Sequence, residues 1–350
     1  MYIVNTLKKI FFPIGLIGCL QIAVLAADSS NLDRLLAAEA DFEVGNNMAA
    51  NTSYLGLIDS VSEDLPLRVA AWRGALKSSA NGESLESLLK RLLKNEMASV
   101  QLRALPVLGR LRLMDEVVDD LLIEGMAGSD PAVGVMLVEL LSSRNGVDVH
   151  SRLVGEFSNS NDQVKGAIIE VSSRGSGRAN SDFLMELIFE SEEWSEQASE
   201  SLVAMNESSV DEYLSQFYLG DDGVSADHKA LAIGLLRNRG AVAYKDDFYR
   251  MLIGSEPSVR SAITHALRDW GEAGDLDTIL RVMGQSKESA LRSALSRLFV
   301  SLAQTQVKDQ SIAIGALDKA IASADSSLKA TLVKMKQALI RESEKASKIN

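Results

Sequence analysis

Catalysis and metal binding need reactive groups that converge, and this chain has few of them. It carries three histidines, His150, His228 and His265, and one cysteine, Cys19. Zinc and iron sites draw imidazole, thiolate and carboxylate ligands from short, fixed spacings. The histidines lie far apart, outside any H-E-x-x-H or Cys/His cluster, and no His-Glu dipeptide occurs. There is also no G-x-S-x-G nucleophile elbow, no P-loop and no C-x-x-C-H haem attachment. Gly175-Ser176-Gly177 is too short to cradle a phosphate. Asp221-Asp222-Gly223 with Asp227 offers carboxylates to calcium but lacks the spacing of a calcium-binding helix–loop–helix. The sequence therefore predicts no catalytic set, no cofactor and no metal.

Charge is distributed unevenly. From Ala179 to His228 there are 13 acidic residues and no Lys or Arg. From Lys229 to the end, 19 basic residues face 13 acidic ones. Carboxylates bind by attraction to cations, so Glu192, Glu193, Glu196, Glu200, Asp211 and Glu212 form a candidate docking face for a basic protein surface. The basic C-terminal third offers a second one. If the chain repeats, Arg237, His265, Arg268 and Arg297 fall in neighbouring columns on an inner wall. Acidic and basic regions on one chain also allow self-association. The whole chain has a net charge of −12, which disfavours nonspecific binding to nucleic acid.

The first 26 residues differ from the rest. Lys8 and Lys9 precede an uncharged, mostly apolar run from Ile10 to Ala26, and the chain turns polar at Asp28. A basic start, a short apolar core and a small-residue exit at Val24-Leu25-Ala26 are the pattern of a secretory signal over residues 1–26. The expected product begins at Ala27 and is periplasmic or secreted, with no membrane span. Leu16-Ile17-Gly18-Cys19 supplies the alternative, a lipobox whose lipidated Cys19 tethers the protein to a membrane. Removal of the signal leaves no cysteine, so stability must come from a sizeable core rather than disulfides.

The remainder is built from helices in a repeating pattern. The stretch Glu256-Pro-Ser-Val-Arg260 opens an apolar stripe, Val259, Ala262, Ile263, Ala266 and Leu267, the one-face spacing of an α-helix. Similar starts are anchored at 67, 100, 133, 164, about 195, 228, 259, 291 and 328. A shorter apolar stripe follows each one, as at Leu276, Ile279, Leu280 and Met283. Gly-, Asn- and Asp-rich connectors at Asn81, Asn145, Gly175 and Gly220 separate them. A period of 31 to 33 residues, 37 at the last step, marks a repeat architecture. Each acid at a helix start is expected to cap free N–H groups. The base one turn later (Arg68, Arg260, Arg292 or Lys329) is expected to pair with that same acid. Trp72, Trp194 and Trp270 are expected on second helices, packed in the core.

This pattern, an acid-Pro-x-Val-Arg start, an apolar helix, a Gly-containing turn and a second apolar helix, resembles the short HEAT-like repeat. Phycobilin lyase subunits and bacterial exported proteins contain that repeat type. The resemblance covers about residues 48–340. It is closest over Glu256–Met283 and Asp130–Leu141 and weakest around Trp194 and Glu207. It implies an all-α, right-handed α-solenoid of about nine helix pairs over 48–346, with a capping helix at 27–47 and a tail at 347–350. Such solenoids are mostly non-enzymatic protein-binding scaffolds. The alternative implied is an enzyme or enzyme subunit of the bilin lyase-like type, although this chain lacks the His-Glu pairs of HEAT-like hydroxylases and the basic groove of HEAT-like DNA glycosylases. Intact-mass measurement of the protein from its native host should give a chain starting at Ala27. An acylated Cys19 or a retained Met1 would refute cleavage at that point.

Overall fold

The computed structural model describes residues 29–349 apart from 62, 80–82, 112–115, 145–146, 176–177, 207, 221–222 and 308. Cys19, the proposed signal segment, Asp221, Asp222 and most of the Asn-Gly and Gly-rich connectors lie outside the described residues. Among the described residues every regular element is helical, and no helix is long and apolar enough to cross a membrane. The chain divides into two compact units, up to Glu186 and from Leu187 onward.

In the first unit, α1 (Ser29–Glu43), α3 (Leu65–Ser78), α5 (Ala98–Ala104), α7 (Pro131–Ser142) and α9 (Asp162–Ser172) pack in series. They alternate along the chain with α2 (Asn47–Ser60), α4 (Glu83–Asn95), α6 (Glu116–Ala127), α8 (Val147–Gly155) and α10 (Arg178–Glu190), whose last turn from Leu187 belongs to the second unit. In the second unit the first helices are α11 (Ser195–Ala204), α13 (Ala226–Asn238), α15 (Pro257–Trp270), α17 (Ser289–Thr305) and α19 (Ser326–Ile349). The second helices are α12 (Ser208–Leu214), α14 (Lys245–Met251), α16 (Leu276–Gln285) and α18 (Gln310–Ser323). First helices contact first helices, while α14 contacts α16 and α16 contacts α18 in a second layer. The apolar stripes meet between the layers. Ile263, Ala266 and Leu267 of α15 are buried, as are the equivalent Leu295, Leu298 and Phe299 of α17. One pair cannot cover its own stripes, so each depends on its neighbours.

Asp64, Asp130, Asn161 and Asp325 each accept a hydrogen bond from a backbone N–H in the first turn of the helix they precede, the role expected of an acid or amide at a helix start. Glu256 and Glu288 make no such cap, whereas Glu272 caps the short turn Ala273–Asp275.

The bases do not pair as the sequence predicts. Arg260 pairs with Glu288 and Arg292 with Asp325, each an acid of the following repeat rather than the acid one turn before. Arg68 likewise meets Glu96, Nη2 to Oε1, at 2.5 Å. The reason is the destination of the guanidinium. Arg68 donates from Nη1 to the carbonyls of Ile58 and Val61 at 2.9 and 2.7 Å, at the C-terminal end of α2. Arg292 donates from Nε to the carbonyls of Met283 and Ser286 at 3.3 and 2.8 Å, at the end of α16. Gln101 does the same for α4, reaching Leu92 and Leu93 at 3.0 and 2.9 Å. Helix ends leave carbonyls unpaired and carry partial negative charge, which a donor there satisfies. Arg68 and Arg292 are thus drawn back to the preceding helix, and their remaining donors point to the next repeat; Arg260 shares the second half of this arrangement, the pair with the next repeat's acid.

The tryptophans also depart from expectation. Trp72 lies in α3 and Trp270 ends α15, both first helices, and Trp194 precedes α11 in a turn. Trp72 is fully buried, and Trp270 is buried with its ring stacked on Phe248, centroids 5.5 Å apart. Tyr54 lies so close to Gly74 that a Cβ there would meet its ring at 2.3 Å, so α2 and α3 approach only across glycine.

Replacing Arg292 with Ala should destabilise the second unit by about 2–4 kcal/mol, because two buried carbonyls lose their donor. Arg250→Ala, which removes an exposed pair with Asp247, should change stability by less than about 0.5 kcal/mol. Urea unfolding of both variants checks the contrast.

Candidate functional site

Two grooves lie in the second unit. The first is open, has a volume of about 1060 Å³, and is formed by the end of α10, the following turn, α11 and α13. Its polar lining includes Glu190, Glu192, Glu196 and Glu200, with Phe189, Val203 and Leu231 as apolar surface and no Lys or Arg. The local sequence accounts for this. Ser191-Glu192, Ser195-Glu196 and Ser199-Glu200 repeat every four residues, a spacing that keeps like residues on one side of a helix. Ala198 and Leu202, on the other side of α11, are buried. Ser195 Oγ donates to the carbonyl of Ile188 at 2.9 Å, which ties α11 to the end of α10. Phe189 and His228 meet edge to face with centroids 4.8 Å apart, a contact that joins α10 to the start of α13.

The predicted acidic face separates into parts. Glu192, Glu196 and Glu200 are exposed and line this groove. Glu193 and Glu212 are exposed but outside its lining. Asp211 is already engaged by Arg239 in an ion pair. Arg239 also donates to the carbonyls of Leu202 and Met205 at 2.6 and 2.7 Å, closing the end of α11. The negative field nevertheless extends to this side. Burial first, and then the charges of Asp211, Glu212 and Asp247, raise the Tyr244 hydroxyl above its ordinary pKa. Glu190 belongs to the groove and was not singled out in the sequence, although it lies within the same acidic run.

The second groove has a volume of about 540 Å³ and lies between α15 and α17. His265, Arg268 and Arg297 line it together with Arg260, Thr264 and Ala294. Three of the four residues expected on an inner wall therefore converge. The fourth, Arg237, pairs with Asp269 at 2.5 Å and stands outside the groove. Arg260 is tied to Glu288. Arg268 and Arg297 are exposed and meet no carboxylate among the described residues.

The described residues contain no group of His, Cys, Asp or Glu that could hold a metal ion. His150 is in the first unit, half-buried beside the Gly175 turn, and its Nδ1 has no hydrogen-bond partner among the described residues. Both grooves set charged side chains beside apolar surface, an arrangement that suits charge-directed binding.

No family model matches the chain, and no curated protein is similar to it. An engineered protein of solved structure is similar over 91% of this chain and 97% of its own, at 15% identity and a TM-score of 0.30. That likeness carries no argument about function.

Burial lowers the His150 pKa below its ordinary value of 6.5. The unfolded chain therefore takes up this proton at a higher pH than the folded chain. Stability from this group is unchanged above about pH 6.5 and erodes as pH falls below it. His150→Gln should narrow the difference in urea midpoint between neutral and mildly acidic buffer.

Proposed function

We propose that this chain is an exported, non-enzymatic scaffold that binds a protein with a basic surface through the groove formed by α10, α11 and α13. Its helix pairs, packed in series, are read as a right-handed α-solenoid of about nine HEAT-like repeats, placed in the periplasm or secreted. The observation that carries the reading is the unneutralised carboxylate row of Glu190, Glu192, Glu196 and Glu200 beside apolar surface from Phe189, Val203 and Leu231. Like charges one turn apart on a helix cost a few tenths of a kcal/mol per pair. A basic partner relieves that repulsion on docking, and the apolar surface gives its side chains something to bury. Electrostatic contacts of this kind govern encounter and orientation and weaken with salt.

The test uses the immobilised protein and its own exported fraction, together with a Lys-rich helical peptide followed by fluorescence anisotropy. Glu192→Lys, Glu196→Lys and Glu200→Lys combined should leave the helical circular dichroism unchanged, since all three side chains are exposed. The triple variant should weaken binding of partner and peptide at least about tenfold, and about 0.5 M salt should do the same to the parent protein. Binding that survives both changes would refute the groove as the docking surface.

A further inference from the structure

We infer that the basic groove between α15 and α17 receives the acidic groove of a second copy, and that two copies join about a twofold axis through two such contacts. The two grooves are the same place in the repeat. Ala198 and Leu202 of α11 occupy the buried positions that Ile263 and Leu267 occupy in α15, 65 residues later in both cases. With that register Glu196 and Glu200 stand where Ser261 and His265 stand, Ser195 where Arg260 stands, and Val203 where Arg268 stands. All of these residues line their respective grooves. On the neighbouring helices, Leu231 of α13 corresponds to Ala294 of α17 by the same reasoning, since Ala232 and Leu236 match Leu295 and Phe299.

Equivalent positions on the same layer of first helices open on the same side of that layer. The second unit therefore shows one groove of carboxylates and, two helix pairs away, one groove of unpaired cations. At roughly 8–10 Å per packed helix, their centres are about 16–20 Å apart. A half-turn about an axis parallel to the helices, midway between α13 and α15, exchanges the two. Such a half-turn keeps each residue's height along its helix, so Glu200 of each copy meets His265 of the other, with Arg268 one turn further along and Arg297 in the same groove, while Glu196 meets Ser261 beside Arg260. Arginine presents a planar fork suited to carboxylates. Because acid and base share one face, the contact is satisfied twice and closes at two copies. On opposite faces the same charges would build open chains.

This inference rests on the acidic groove being a docking surface, and the measurements separate the two ideas. Sedimentation equilibrium of the full chain at low salt should show a mass that rises with concentration and levels at two copies, returning to one at about 0.5 M salt. Glu196→Gln with Glu200→Gln, and separately Arg268→Gln with Arg297→Gln, should each raise the dimer dissociation constant at least about tenfold. Either variant alone loses both contacts. An equimolar mixture restores one contact and should form a mixed dimer, weaker than the parent dimer and tighter than either variant with itself. A parent protein that stays monomeric would overturn the inference, as would growth past two copies or variants that dimerise like the parent. If the Lys-rich peptide still binds a monomeric parent chain, the dimer alone is wrong. If the peptide also fails, the acidic groove itself is inert.

Discussion

A helix that ends inside a protein leaves carbonyls without donors, and each helix pair here must end one helix beneath the start of the next. The arginine or glutamine after the anchor residue meets that constraint. Arg68, Gln101 and Arg292 each reach two carbonyls at the end of the preceding helix. Arg68 and Arg292 then use their other donors on an acid one repeat further along. A guanidinium is suited to this double duty because its five donors point in several fixed directions. The link joins three successive pairs through one side chain, and it sets the register in which the apolar stripes meet.

The grooves follow from the same register. Where the position after the anchor is occupied by Arg260, its charge is spent on Glu288, while Arg268 and Arg297 further along the groove have no such employment. Around α11, Arg239 closes the end of a first helix from the far end of α13 and pairs with Asp211, as Arg144 pairs with Asp119 in the first unit. Its charge is thereby spent away from the Glu192, Glu196 and Glu200 row.

That the chain is all-helical, with neighbouring helices packed in series, was legible because it rests on one-dimensional information. Stripes such as Leu291, Leu295, Leu298 and Phe299 repeat at a period that any helix pair must obey, and their burial depends on little else. Partner choice was not legible in the same way. Local spacing favoured Glu256 for Arg260 and Glu288 for Arg292, and only the stacking of pairs reveals that an acid about one period away is nearer. The candidate site was legible by charge and not by shape. The run from Ala179 to His228 marked the acidic region, but no feature of the sequence distinguishes Asp211, which is engaged, from Glu196, which is not. Arg237 and Arg268 are equally indistinct until Asp269 is seen beside the first.

The clasp made by Arg292 also restricts how such a gene can change length. Removing one whole repeat between equivalent points joins an arginine to carbonyls and an acid of the same kind as those it lost. Removing half a repeat takes away either the carbonyls of Met283 and Ser286 or the carboxylate of Asp325, and leaves a buried guanidinium facing nothing. Tolerated insertions and deletions should therefore come in multiples of about 32 codons, with smaller changes confined to the connectors.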